Sequence, residues 1–200
     1  MKKRIFISIG LPDKIKNKIT EFQEEIDRSF SYSCGSSPIK WTKKDNLHIT
    51  LFFVGYLEIN DLVGVFDIVE KVANEFNTFD LKLENISYAP KGKFPPKMVW
   101  VNAEKSDYLG MLQKKLEVAL LSNPNIVLEN EEGSNKNFSA HITTGRIVQW
   151  QFARMEPEEL PDISKDFSMG FKINSIEVME SELKKGGARY TILKSFNFKD

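Results

Sequence analysis

The sequence predicts a mixed fold of strands and helices in which one unit is used twice, and three observations carry that expectation. Apolar residues switch between period-two and helical spacing along the chain. The order strand, helix, loop, histidine-bearing strand occurs twice. Both histidines of the chain, His48 and His141, stand in the same tripeptide, His-Ile-Thr, 93 residues apart.

Arg4 to Gly10 alternates and is rich in β-branched and aromatic residues, the mark of a strand. Ile15, Ile19, Phe22, Ile26 and Phe30 then recur at helical spacing with charged residues between them. Ser31 to Pro38 reads as a loop, and Asn46 to Gly55 as a strand. Asp61 to Phe76 predicts a second amphipathic helix with Asn60 as its N-cap. Leu81 to Tyr88 predicts a strand. Pro90 to Lys97 holds three prolines and a glycine, which predicts an exposed loop. Met98 to Ala103 is a strand, and Tyr108 to Leu121 a helix that buries Leu112, Leu116 and Leu120. Asn123 to Asn137 is polar and acidic, and Ser139 to Val148 is a strand. Ile173 to Leu183 and Arg189 to Phe198 flank Lys184-Lys185-Gly186-Gly187, a hairpin signal.

Shifting the first half by 93 places Phe6 on Val99, Ile7 on Trp100 and Ile9 on Asn102. It also places Ile15 on Tyr108, Ile19 on Leu112 and Ile26 on Ala119. An internal repeat of about 4–55 and 97–148 is therefore expected within one domain spanning 1–200.

Two hundred residues with a formal net charge of zero suit one soluble globular domain and disfavour a protein that coats nucleic acid through general basicity. The longest apolar run, Leu47 to Leu57, is far shorter than the roughly 20 residues that cross a bilayer, and the basic start is followed by a poor secretory signal. A cytoplasmic protein without a membrane partner is the expectation. Cys34 is the single cysteine, which excludes an intrachain disulfide.

On a strand, residues i and i+2 share a face about 6 to 7 Å apart. Each His-Ile-Thr motif thus offers an imidazole and a hydroxyl together: His48 with Thr50, and His141 with Thr143. If a pseudo-twofold brings the motifs to one cleft, the set suits phosphodiester cleavage. One imidazole takes a proton from attacking water, the other gives a proton to the departing oxygen, and the hydroxyls donate to phosphoryl oxygens. No cofactor or metal is called for. A zinc site needs a third ligand that neither motif supplies.

Trp41-Thr42-Lys43-Lys44-Asp45-Asn46-Leu47-His48-Ile49-Thr50-Leu51-Phe52-Phe53-Val54-Gly55 resembles the first motif of the 2H phosphoesterases. Phe138-Ser139-Ala140-His141-Ile142-Thr143-Thr144-Gly145-Arg146 is similar to the second motif of their RNA 2′,3′-cyclic phosphodiesterase branch, historically called 2′-5′ RNA ligases. Arg4 to Pro12 resembles the opening strand of that family, and Glu177 to Leu183 with Gly187 to Tyr190 its closing hairpin. Ala140 stands where the family usually has Pro, and Thr144-Gly145 replaces a more apolar pair, which implies altered strand packing.

The resemblance implies an α+β fold of two pseudo-symmetric lobes, each an antiparallel sheet with helices on its outer face, around a central cleft. It implies hydrolysis of an RNA terminal 2′,3′-cyclic phosphate to a 2′-phosphate, with weak 2′-5′ ligation as a side reaction. His48 is expected as acid, His141 as base, and Thr50 and Thr143 as phosphate ligands. Arg146 stands at the family's arginine position, although strict alternation from His141 would turn it away from the cleft. Tyr190, Phe6 and Trp41 are candidates to line the nucleotide pocket, and Lys91, Lys93 and Lys97 to track an RNA backbone. The expected partners are RNA 3′ ends or a nucleotide cyclic phosphate, met by a monomer. The motifs leave open a 2′-5′ oligonucleotide or ADP-ribose cyclic phosphate as substrate, and binding of RNA ends without turnover.

Overall fold

Strand β1 (Lys2–Gly10) runs antiparallel to β3 (His48–Glu58) on one side and to β8 (Ser175–Lys184) on the other. β8 forms the terminal hairpin with β9 (Gly187–Asn197). A second set holds β6 (His141–Ile147), β5 (Met98–Ala103), β4 (Phe79–Ala89) and β7 (Lys165–Ile173) in that spatial order, with the short β2 (Ile39–Trp41) also paired to β6. The chain is seen in a computed structural model that describes residues 2–34, 37–123, 126, 138–155, 161–185 and 187–200. Among these residues the two sets form one continuous nine-stranded sheet, joined where Ile49 of β3 pairs with Ile142 of β6.

The two sets repeat each other in register. On β1, Gly10, Ile9, Ser8, Ile7 and Phe6 face His48, Ile49, Thr50, Phe52 and Phe53. On β5, Asn102, Val101, Trp100, Val99 and Met98 face His141, Ile142, Thr143, Gly145 and Arg146. Every partner on the histidine strands is offset by 93, but the first strands are offset by 92, so Phe6 corresponds to Met98 and Ser8 to Trp100. Each ladder skips one residue at the same place, Leu51 in one and Thr144 in the other. The helices differ again. The buried positions Ile15, Phe22, Gln23 and Ile26 match Leu109, Leu116, Glu117 and Leu120 at an offset of 94. A uniform shift of 93 therefore misplaces the strand and the helix by one residue each, because the turn between them is two residues longer in the second set. We propose that the two stretches are copies of one unit.

Helix α1 (Asp13–Cys34) carries the stripe Ile15, Ile19, Phe22, Ile26 and Phe30 into the core. It follows β1 but packs on the other set: the Gln23 amide donates to the carbonyls of Thr42 and Thr144, and Phe22 meets Trp41 edge-on. Helix α3 (Asp107–Leu121) follows β5 but packs against β3. Helix α2 (Leu62–Ala73) lies on α3, β8 and β9. The opposite faces of β3 and β6, with Ile49 and Ile142, join these helices in one core.

The observed class is the expected α+β arrangement, with several local corrections. Residues 31–34 continue α1 rather than starting a loop. Asn60 does not cap α2, since Ile59–Asp61 forms a 3-10 turn and no side chain caps the helix; Ser106 does cap α3, accepting from Leu109 N–H. Strand β7 is an element that the sequence analysis does not predict, although Phe167, Met169, Phe171 and Ile173 alternate. Of the acidic stretch 123–137, only Asn123 and Ile126 lie within the described residues. No helix among the described residues is long and apolar enough to cross a membrane.

Candidate active site

His48 and Thr50 on β3 and His141 and Thr143 on β6 line one cavity of about 530 Å³. The Ile49–Ile142 pair lies between the two motifs and faces the core, so the four polar side chains emerge together on the other side. The skipped residue on each strand then changes the phase of alternation. Thr144 is the extra residue in β6, with its hydroxyl donating to the Val99 carbonyl. Arg146 consequently returns to the face of His141 and Thr143 and lines the cleft, contrary to strict alternation. On β3 the extra residue is Leu51, and Phe53 takes the matching place at the cleft wall. Gly145 is required at its position, because a Cβ there would stand 2.6 Å from Ile39 Cγ2 and 2.9 Å from the Trp41 ring. Thr144-Gly145 is thus a local packing solution, and Ala140, nearly buried, accepts from Ala103 N–H through its carbonyl.

The imidazoles are held alike. His48 Nδ1 is 2.7 Å from the Asn46 carbonyl, and His141 Nδ1 is 2.8 Å from the Ser139 carbonyl. A carbonyl only accepts, so each Nδ1 carries a proton and each neutral ring has a bare Nε2. His48 Nε2 lies 3.0 Å from Thr50 Oγ1, which donates to it. Asn46 is itself fixed to the terminal hairpin, its amide donating to the Ala188 carbonyl. Burial pushes both imidazoles below their ordinary range. For His48 the charges of His141 and Lys16 lower it further, while the Asn46 hydrogen bond opposes the shift.

The walls around the two rings are unlike. Phe6 and Tyr190 approach His48 with ring centroids 5.0 and 5.2 Å away, and both line the cleft. His141 instead lies face to face with Trp100, centroids 3.7 Å apart and planes 21° from parallel. Phe53 and Arg4, which line the cleft, and Trp100, which lies against His141, are site residues that sequence reasoning misses. The matching of Phe53 to Arg146 and the partnership of Trp100 with Thr143 become legible only once the strand registers are known.

Trp41 does not reach the cleft. Its indole N–H donates to Asp27 at 2.9 Å and its ring packs on Phe22, so its role is structural. Nor do the loop lysines reach it. Lys91 lines a neighbouring cavity that shares Phe138 and Ser139 with the cleft, and Lys93 and Lys97 are exposed and line neither. Among the described residues, no group of three or more His, Cys, Asp or Glu side chains is placed to hold a metal ion.

The family model described as LigT-like phosphoesterase matches residues 9–100. A curated relative, the RNA 2′,3′-cyclic phosphodiesterase of Methanocaldococcus jannaschii, is 26% identical over 200 residues, covering 96% of this chain and 99% of the relative. The solved structure of TT0787 from Thermus thermophilus aligns over 98% of both chains with a TM-score of 0.78 and 23% identity. That of E. coli LigT complexed with 3′-AMP covers both chains fully, with a TM-score of 0.76 and 20% identity. The fold is therefore theirs, and residues 9–100 of the chain are similar to the LigT-like phosphoesterase family.

Proposed function

We propose that this chain hydrolyses RNA terminal 2′,3′-cyclic phosphates to 2′-phosphates without a metal. The observation that carries the reading is the pair of imidazoles, each fixed through Nδ1 by a backbone carbonyl, on one cleft with Thr50 and Thr143. His141 takes a proton from water as its oxygen bonds to phosphorus. The P–O3′ bond breaks, and His48 gives its proton to O3′. Thr50, Thr143 and Arg146 hold the phosphoryl oxygens, while Phe6, Phe53 and Tyr190 form an aromatic wall for the nucleoside. A 5′-hydroxyl in place of water gives weak 2′-5′ ligation by the same displacement. The names of the relatives and the 3′-AMP held by E. coli LigT support a nucleotide end as ligand.

The test offers the protein, with a chelator present, an RNA ending in a cyclic phosphate, a 2′-5′ oligonucleotide and ADP-ribose cyclic phosphate. Turnover of the first to a 2′-phosphate, identified by phosphorus NMR, is expected. Preference for either other substrate, or binding of the RNA end without turnover, would overturn the assignment.

The mechanism also fixes a pH dependence. It needs one imidazole charged and one neutral, and both are pushed below the ordinary value of about 6.5. The singly protonated pair therefore peaks on the acid side of that value in the free protein, and kcat/KM should trace a bell centred there. A profile flat from about pH 5 to 8, the range in which imidazoles titrate, would contradict paired acid and base roles.

A further inference from the structure

The two halves of the cleft repeat each other closely enough to pose a chemical question: what makes one histidine an acid and its counterpart a base? Both rings have the same tautomer, held by carbonyls at corresponding positions, Asn46 and Ser139. The difference lies one strand away. The residue paired with Thr50 is Ser8, and the residue paired with Thr143 is Trp100. Only His141 therefore has an indole face beneath it.

Among the described residues no hydrogen bond holds the Trp100 indole there: its Nε1–H is buried with no partner, whereas the N–H of Trp41 is anchored on Asp27. Buried indole N–H groups usually find an acceptor. Among the described residues the ring contact of Trp100 is the parallel one with the imidazole. An indole face is the strongest of the aromatic side chains in attracting a cation, so the contact favours the charged form of His141 over the neutral one. His48 has Tyr190 nearly perpendicular to it and Phe6 tilted, neither in a parallel stack.

Resting on the hydrolytic reading above, we propose that Trp100 is a positioning residue for His141: the stacked indole fixes the plane of the imidazole and stabilises the positive charge it gains on taking the proton of water. The same contact breaks the symmetry of the site. It makes His141 the better proton acceptor, while His48, without such support, gives its proton up more readily.

The charged and titratable side chains that share the cleft with His141 are His48 on β3, Arg4 on β1, Tyr190 on β9 and Arg146 on its own strand. Its neighbours on β5 are its strand partner Asn102 and the stacked Trp100, which do not titrate in this range. A change at Trp100 that leaves these groups in place therefore isolates the stack.

With two histidines in the chain, proton NMR resolves the titrations of both imidazoles without turnover. In Trp100→Leu, which keeps an apolar side chain but no π face, the His141 ring protons should lose their upfield ring-current shift and titrate at lower pH. His48 should move less, and kcat should fall about 3- to 30-fold, the size of a lost cation–π contact. Trp100→Phe should recover most of the titration and of the rate. Unchanged His141 shifts and titration in Trp100→Leu would overturn the proposal, as would Trp100→Phe behaving no better than Trp100→Leu. Failure of wild-type turnover with the His141 shifts behaving as stated would refute the hydrolytic reading and leave the stack standing.

Discussion

His48→Ala and His141→Ala are each expected to lower kcat for cyclic phosphate hydrolysis by about 10²- to 10⁴-fold, the range of a removed general acid or base. Both rings sit at the beginning of strands whose ladders do not depend on them, and each donates to a single backbone carbonyl. Folding should survive, and a thermal melt on each variant checks that. The double variant is the sharper measurement. Groups that act on one phosphorus in one displacement lose their joint contribution when either is missing, so the losses are far from additive. The double variant should be little worse than the poorer single one, measured in single turnovers with chelator present. Full activity in either single variant would sink the mechanism. Losses that multiply would mean that the two imidazoles act in separate events.

The candidate site was more legible in the sequence than the architecture that assembles it. Two identical tripeptides using every histidine of the chain announce a paired site, because alternation alone puts His48 with Thr50 and His141 with Thr143. The long amphipathic stripes of α1 and α3 were equally plain. What alternation cannot reveal is the extra residue at Leu51 and at Thr144, which turns Phe53 and Arg146 back to the cleft. A bulge depends on two strands being compared, and a single strand carries no trace of it. The packing of α1 on β2 and β6, and of α3 on β3, is likewise a property of the pair of halves. The position of Trp41 beside the first motif suggests a nucleotide contact. The structure instead uses that ring to close Asp27 and Phe22 against the strand at Gly145.

Ile142→Ala should cost about 2–5 kcal/mol of stability, the usual range for emptying a buried isoleucine site, and should also lower kcat in the protein that remains folded. Ile142 is fully buried, and its partner across the strands, Ile49, is too. Their pairing is where the two strand sets join, and each is flanked by a catalytic candidate on one side and a phosphate-binding candidate on the other. A void at this point relaxes by letting β3 and β6 shift, and a displacement of about 1 Å between acid and base can cost up to about 10²-fold. Leu83→Ala supplies the control. Leu83 is as deeply buried, on β4 at a distance from the cleft, and its loss should fall in the same range of stability while leaving kcat near that of the wild type. Urea unfolding gives the first quantity, and kcat at a temperature where each variant is folded gives the second. Equal kcat in the two variants would show that the alignment of the imidazoles is set elsewhere in the sheet than at this junction.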